Sequence, residues 1–301
     1  MEYDRVVLNK FYVDTGEDLN NPSFTDLSWV PSELLPIAEA FRANLRAAQL
    51  TASVPFELVN AGVQKRRFMQ ISIAERIRQK FIPEEATDEH QKFREFAESD
   101  EGGTQIADEI FGEINALLSD QEMGPAVAEL MRQCPVLVWS AFEVLANDLF
   151  SIVINLHPEI SVKLINDERT KKRFQLKALS VDELAKYGFD LTNKMGDMLR
   201  SLHPLDSIDI MRDAFDVIDP GNKELSKHLF STDLWRLYQR RNLIVHRRGI
   251  VDQSYIDRTG DGVGKGSLLN ISRTDLSTYL VLTRDTGLEI LKSCARLLTC
   301  R

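Results

Sequence analysis

The chain has 301 residues, 43% hydrophobic and 28% charged, the composition of an ordinary globular protein with enough length to bury a core without disulfide staples. Its formal net charge of −9 argues against a protein that coats nucleic acid by bulk phosphate neutralisation. The charge is uneven: residues 1–125 hold 12 Lys+Arg and 23 Asp+Glu, a balance of −11, while residues 126–301 hold 25 and 23, a balance of +2. A local basic site belongs in the second half.

No uncharged apolar run reaches the roughly 18 residues of a membrane-spanning helix. The segment Met1-Glu2-Tyr3-Asp4-Arg5 lacks both the basic and the apolar region of a secretory leader. Cys134, Cys294 and Cys300 are odd in number and lack metal-ligand spacing, and the first two sit in apolar helical surroundings. These features predict a cytoplasmic protein with no membrane attachment.

Residues 1–30 lack periodicity and contain Gly16, Asn20, Asn21 and Pro22, which predicts a loop-rich arm with a short strand at Val6–Leu8. A helix starts at Pro36, with Ile37, Phe41, Leu45 and Ala48 as its stripe, and a second covers Phe56–Phe81. Lys65-Arg66-Arg67 on the second helix reads as a solvated face. The acidic stretch Pro83–Gly103 is either a flexible connection or an exposed helix, and Ile106, Ile110, Ile114 and Leu117 mark another amphipathic helix. Gly124-Pro125 is the expected boundary between an acidic, mainly helical region, 1–124, of unassigned role and a second domain, 125–301.

In the second domain Val138, Phe142, Leu145, Leu149, Ile152 and Leu156 form the strongest helical stripe of the chain, ending at Pro158. Ser180 and Glu183 have capping-box spacing. Ile208–Ile218 is helical and closed by Asp219-Pro220-Gly221. Another helix runs from near Thr232 to His246 or Arg247, with Gly249 as its stop. Gly260, Gly262, Gly264 and Gly266, between Tyr255-Ile256 and Leu268-Leu269-Asn270-Ile271, predict a small hairpin with a mobile tip. A last helix spans about Asp275 to Thr299. The expected fold is all-α, an antiparallel helical bundle preceded by a helical region and interrupted by that hairpin.

Leu234, Tyr238, Arg241 and Val245 recur at i, i+4, i+7 and i+11, so Arg241 falls on the stripe that faces the interior. An unpaired guanidinium there is costly and calls for an acidic or phosphate partner. Glu143, set into the stripe of Trp139, Ala146 and Phe150, is the carboxylate to pair with it. Asn242 and His246 are i, i+4 neighbours on the adjoining face, beside Arg240, Arg247 and Arg248. Histidine transfers protons near neutral pH, and arginine holds a phosphate bidentately and stabilises developing charge. These residue types suit phosphodiester cleavage by an RNA's own 2′-hydroxyl. That chemistry needs neither metal nor cofactor.

Arg241-Asn242-x3-His246 resembles the R-x4-6-H signature of the HEPN superfamily, whose members often carry a polar residue after the arginine. Trp139-Ser140-Ala141-Phe142-Glu143-Val144-Leu145 looks like the first core helix of that family. Ile244-Val245-His246-Arg247-Arg248-Gly249-Ile250-Val251-Asp252, followed by Tyr255, looks like its RiboL-PSP-HEPN type. The resemblance covers roughly residues 130–300. It implies a helical bundle, dimeric as a rule, with two motif helices facing a composite cleft, and metal-independent RNA cleavage that leaves a cyclic phosphate. Arg241 and His246 would be catalytic, Asn242 would orient them or the phosphate, and Glu143 would support Arg241. Arg240, Arg247, Arg248 and Tyr255 would hold substrate. Arg240 also satisfies the spacing, but Arg241 is preferred for the asparagine after it and for its inward stripe.

Plainer readings stand beside these. Arg241 with Glu143 can be a structural salt bridge in an inert bundle. His246, Arg247 and Arg248 can be charges that complement a helix C-terminus. The glycine run is no phosphate loop, because Gly266, not Ser or Thr, follows Gly264-Lys265. His90, His157, His203 and His228 pair with no Cys or carboxylate at metal spacing. Two functions follow. One is a homodimeric endoribonuclease, of toxin or antiviral type, with an antitoxin or regulatory protein as a further partner. The other is a non-catalytic helical binding protein whose Arg-lined cleft takes an anionic ligand or a protein. The residues argue for handling phosphate, and the resemblance makes that phosphate RNA.

Overall fold

The computed structural model describes Leu19 and residues 21–82, 88–174 and 181–299. The strand expected at Val6–Leu8, the cap at Ser180 and Cys300 lie outside the described residues. Within them the protein is all-α. In chain order the helices are α1 (Pro22–Thr25), α2 (Leu35–Phe81), α3 (Glu89–Glu98), α4 (Asp100–Ser119), α5 (Met123–Leu156), α6 (Glu159–Asn166) and α7 (Lys171–Phe174). There follow α8 (Val181–Lys186), α9 (Met195–Leu202), α10 (Ile208–Ile218), α11 (Lys223–Leu229), α12 (Thr232–Arg247), α13 (Gln253–Thr259) and α14 (Arg273–Thr299).

Two expected helices are one. Pro55 lies inside the 47-residue α2, where it removes a single backbone donor, a cost of about 3 kcal/mol. Buried Phe41, Leu45, Ala48 and Ala52 before it and Val63 after it keep the helix continuous. Likewise Gly124-Pro125 is no loop but the first turn of α5, where proline's missing N–H has no helical partner to lose. Gly102-Gly103, expected to close the acidic stretch, opens α4 instead. There Ser99 caps α4 by accepting from the Gly102 N–H at 3.0 Å. A Cβ at Gly102 would meet the Phe96 carbonyl at 1.9 Å, so the sharp passage from α3 to α4 requires glycine.

The chain divides into two compact units, and not at Gly124-Pro125. The smaller comprises residues 50–131 and 271–274. Its core is Val63, Ile110 and Ile114, with Phe56, Val59, Ile106 and Leu118 packed around them. Arg66 and Arg67 are not simply solvated: they pair with Glu113 and Glu109 of α4. Arg76 pairs with Glu89 of α3 at 2.8 Å.

The larger unit holds residues 19–49, 132–270 and 275–299. Trp139, Phe142, Leu145, Leu149 and Phe150 of α5 form its axis, fully buried as their 3–4 residue spacing requires. Gly287 of α14 allows a close approach, since a Cβ there would meet the Phe41 ring at 2.4 Å and Leu145 at 2.9 Å. Gly196 does the same for α9 on α5, where a Cβ would lie 1.9 Å from the Ser151 carbonyl oxygen. Helix α5 also has the length and mean hydropathy of a membrane span, but 67% of its most apolar window is buried within the protein, the placement of a core helix.

The expected hairpin narrows to a single antiparallel bridge between Ile250 and Leu268. Val251 donates to the Ser267 carbonyl at 2.9 Å and Leu269 to that of Gly249 at 2.8 Å. Tyr255-Ile256 is not a strand but part of α13, capped by Asp252 at its start and by left-handed Gly260 (φ 65°) at its end.

Candidate functional site

Helix α12 carries the site. Ser231 caps its first turn by accepting from the Asp233 N–H at 3.2 Å. At the other end Arg248 turns left-handed (φ 55°) and Gly249 follows at φ 78°, both N–H groups reaching the Leu243 carbonyl. This αL closure places His246 and Arg247 on the last helical turn and Arg248 on the cap. All three side chains are exposed.

The inward face of α12 is Leu234, Leu237, Leu243 and Ile244, all buried. Val245, expected on that face, is 47% exposed. At 100° per residue Arg240 and Arg241 flank the line from Leu237 to Ile244 on opposite sides. Arg240 is the more buried, with 13% of its side chain exposed against 21% for Arg241. The inward stripe therefore does not single out Arg241.

The two arginines have different partners. Arg241 Nη2 lies 3.5 Å from Glu143 Oε2, and Nη1 donates to Asn242 Oδ1 at 2.9 Å. The same Glu143 oxygen accepts from Trp139 Nε1 at 2.9 Å, and that indole, fully buried, packs against Tyr238 with ring centroids 5.0 Å apart. Glu143 thus reaches Arg241 from a fixed rotamer. The Arg241 Nε is buried without a partner, so the guanidinium keeps an unused donor.

Arg240, expected at a substrate surface, lies instead in a buried polar cluster. Its Nη1 donates to Asp275 Oδ1 at 2.8 Å and to the Tyr279 hydroxyl at 2.6 Å, and its Nη2 to Asp261 Oδ2 at 3.3 Å. Asp261 also accepts from the Tyr255 hydroxyl. Burial works against the Arg240 charge, but Tyr279, Asp275 and Tyr255 outweigh it and hold the pKa above the ordinary guanidinium value. Burial, then the hydrogen bond to Asp261, pushes the Tyr255 hydroxyl up to about 12. The phenol of Tyr255 is thereby committed to the protein's own carboxylate, and Arg240 ties the glycine-rich segment to α12 and α14.

His246 carries no hydrogen bond or ion pair among the described residues. With Asn242, Gln239 and Arg247 it lines one side of a cleft of about 150 Å³, whose other side is Ser254 and Arg258 of α13. Arg247 Nε lies 3.5 Å from Asp252 Oδ2. Arg241 does not line this cleft, and its partner Glu143 borders a separate concavity of about 480 Å³ with Val144, Asn147, Asp197 and Arg200. Asn242 is the link: it lines the cleft with His246 and accepts from Arg241.

The sequence reading missed Gln239, Ser254 and Arg258. Ser254 and Arg258 stand at i, i+4 on α13, a spacing that goes unread once the segment is taken for a strand. Among the described residues no three of His, Cys, Asp and Glu gather as metal ligands would. Comparison with protein-family models, curated proteins and solved structures finds no match. The chemistry therefore rests on these residues alone.

Proposed function

We propose that this protein is a metal-independent endoribonuclease of HEPN type, with Arg241, Asn242 and His246 as its catalytic set. The observation that carries the reading is the contrast at one helix end: an arginine held by Glu143 and Asn242, and a histidine left exposed and unengaged. Glu143 and Asn242 hold the Arg241 guanidinium in advance, which is how a charge-stabilising group acts without reorganising. The RNA 2′-hydroxyl attacks the adjacent phosphorus, the O2′–P bond forms, and the P–O5′ bond breaks. His246 takes the 2′-hydroxyl proton as general base, and Arg241 stabilises the charge that develops on the phosphoryl oxygens. The products are a 2′,3′-cyclic phosphate and a 5′-hydroxyl. The 5′-oxygen leaves with a proton taken from water, and the family resemblance adds a homodimer in which a second copy of α12 faces the first.

The competing reading is a non-catalytic helical protein that binds an anion or a protein partner. The Arg241–Glu143 pair favours it, because that carboxylate already offsets part of the arginine's charge. Cleavage of single-stranded RNA in chelator-containing buffer separates the two. Wild type cleaves and His246→Ala is slower by about 10²-fold or more, the usual contribution of a general base. Equal cleavage by both proteins, or binding with no cleavage by wild type, selects the second reading.

A further inference from the structure

The cleft between α12 and α13 holds groups that the catalytic set leaves unused. Arg236 is paired with Asp233 and Asp261, Arg240 with Asp261 and Asp275, Arg241 with Glu143, and Arg247 with Asp252. Arg258 has no ion pair or hydrogen bond among the described residues, and it is exposed. The Gln239 amide and the Ser254 hydroxyl are likewise uncommitted among them. Two acidic neighbours are already engaged. Asp252, itself part of the cleft lining, accepts from the Tyr255 N–H at 2.8 Å and pairs with Arg247, and Asp257 accepts from Gln253 Nε2 at 2.9 Å. Among the described residues Arg258 thus has no direct partner in a cleft that has other free donors.

The size of the cleft narrows what fits. About 150 Å³ is room for roughly five waters and falls short of the roughly 300 Å³ at which pockets for drug-sized ligands begin. A single tetrahedral oxyanion fits. Ser254 and Arg258 stand at i, i+4 on α13 and line the cleft together with Gln239 and His246 of α12. Such a set of a guanidinium, a hydroxyl and an amide binds phosphate by charge-assisted hydrogen bonds. Arg241 does not line this cleft, so an anion held there is met by Arg258 and not by Arg241.

We propose that Arg258, with Ser254 and Gln239, forms a second phosphate subsite that holds the phosphodiester flanking the scissile one on the same RNA strand. This rests on the ribonuclease reading for the identity of the strand. The subsite positions substrate and takes no part in proton transfer. It explains why a chain of net charge −9 needs no basic surface to bind RNA: two adjacent phosphates are met by two placed arginines.

The test measures binding of a non-cleavable 2′-O-methyl RNA oligonucleotide by fluorescence anisotropy across a series of salt concentrations. The proteins are wild type, Arg258→Ala, Arg258→Lys and the remote control Arg94→Ala. Arg258→Ala binds about tenfold more weakly, and its plot of log affinity against log salt is shallower by about one. Arg258→Lys keeps the slope, and Arg94→Ala matches wild type. An Arg258→Ala protein with the affinity and slope of wild type overturns the subsite, as does a wild type that binds no RNA. Cleavage of ordinary RNA by wild type is scored separately. Binding with the predicted slope change but without cleavage keeps the subsite and removes the enzyme, whereas cleavage with an unchanged slope does the reverse.

Discussion

Arg240 and Arg241 are adjacent in the chain and differ in their partners. Arg240 spends its donors on Asp261, Asp275 and Tyr279 in a place where little solvent remains. Removing it takes a buried charged partner away from Asp261 and Asp275, and breaking a buried pair costs about 3–5 kcal/mol. Arg240→Met is thus expected to lower the urea midpoint sharply, whereas exposed, unengaged His246→Ala stays within about 0.5 kcal/mol of wild type. Equal midpoints for the two variants would remove the structural role given to Arg240. The cysteines make a second case at this scale. Burial pushes the Cys134 thiol up to about 12 and raises that of Cys294 too, with Asp219 adding to the effect there. Since the thiolate is the reactive form, a Cys300→Ser protein should show no thiol reactive with an alkylating reagent at pH 8 until it is denatured. Fast labelling of the folded protein would contradict that burial.

Among the elements, two helix crossings depend on a missing side chain. At Gly196 the obstacle to a Cβ is the Ser151 carbonyl, backbone that no rotamer change can move aside. Gly196→Ala therefore forces α9 off α5 and is expected to cost about 1–3 kcal/mol; an unchanged denaturation midpoint would mean that the crossing is looser than described. The helices with strong periodicity and plain stop signals were legible in the sequence. Ile208–Ile218 and Thr232–Arg247 lie where the apolar spacing and Gly249 put them. The Arg241–Glu143 contact was legible too, because each charge interrupts an apolar stripe and so needs a partner. Three features were not. Four glycines outweighed the Asp252 cap and the Gly260 stop that define α13, which hid the face carrying Ser254 and Arg258. Arg240 and Arg241 straddle one helical line, and periodicity alone does not rank two residues 100° apart. Finally, Asp261 and Asp275 reach Arg240 from 21 and 35 residues away, and no local pattern encodes such a meeting.

For the whole molecule, the division into units changes what counts as a domain. Residues 19–49 belong with the bundle that carries α12, and they bring buried Phe24, Leu34, Phe41 and Leu45 to its core. A chain truncated to 125–301 loses those side chains, at about 2–5 kcal/mol for each large one removed. It should show no cooperative thermal unfolding by circular dichroism, and a cooperative transition matching full-length protein would refute that assignment. The same packing fixes α5 against α14 through Gly287, and α5 carries Glu143. Sequence position thus hides a dependence of the Arg241 environment on the first part of the chain.

The proposed cleavage of RNA by Arg241 and His246 runs through the RNA's own 2′-hydroxyl. The most direct measurement places an RNA oligonucleotide and its counterpart with a 2′-deoxy nucleotide at the cleaved position side by side in chelator-containing buffer. Wild type is expected to cut the first to a 2′,3′-cyclic phosphate and a 5′-hydroxyl and to leave the second intact, with His246→Ala slower on the first by about 10²-fold or more. Equal cutting of the two strands, or equal cutting of the RNA by wild type and His246→Ala, would contradict it.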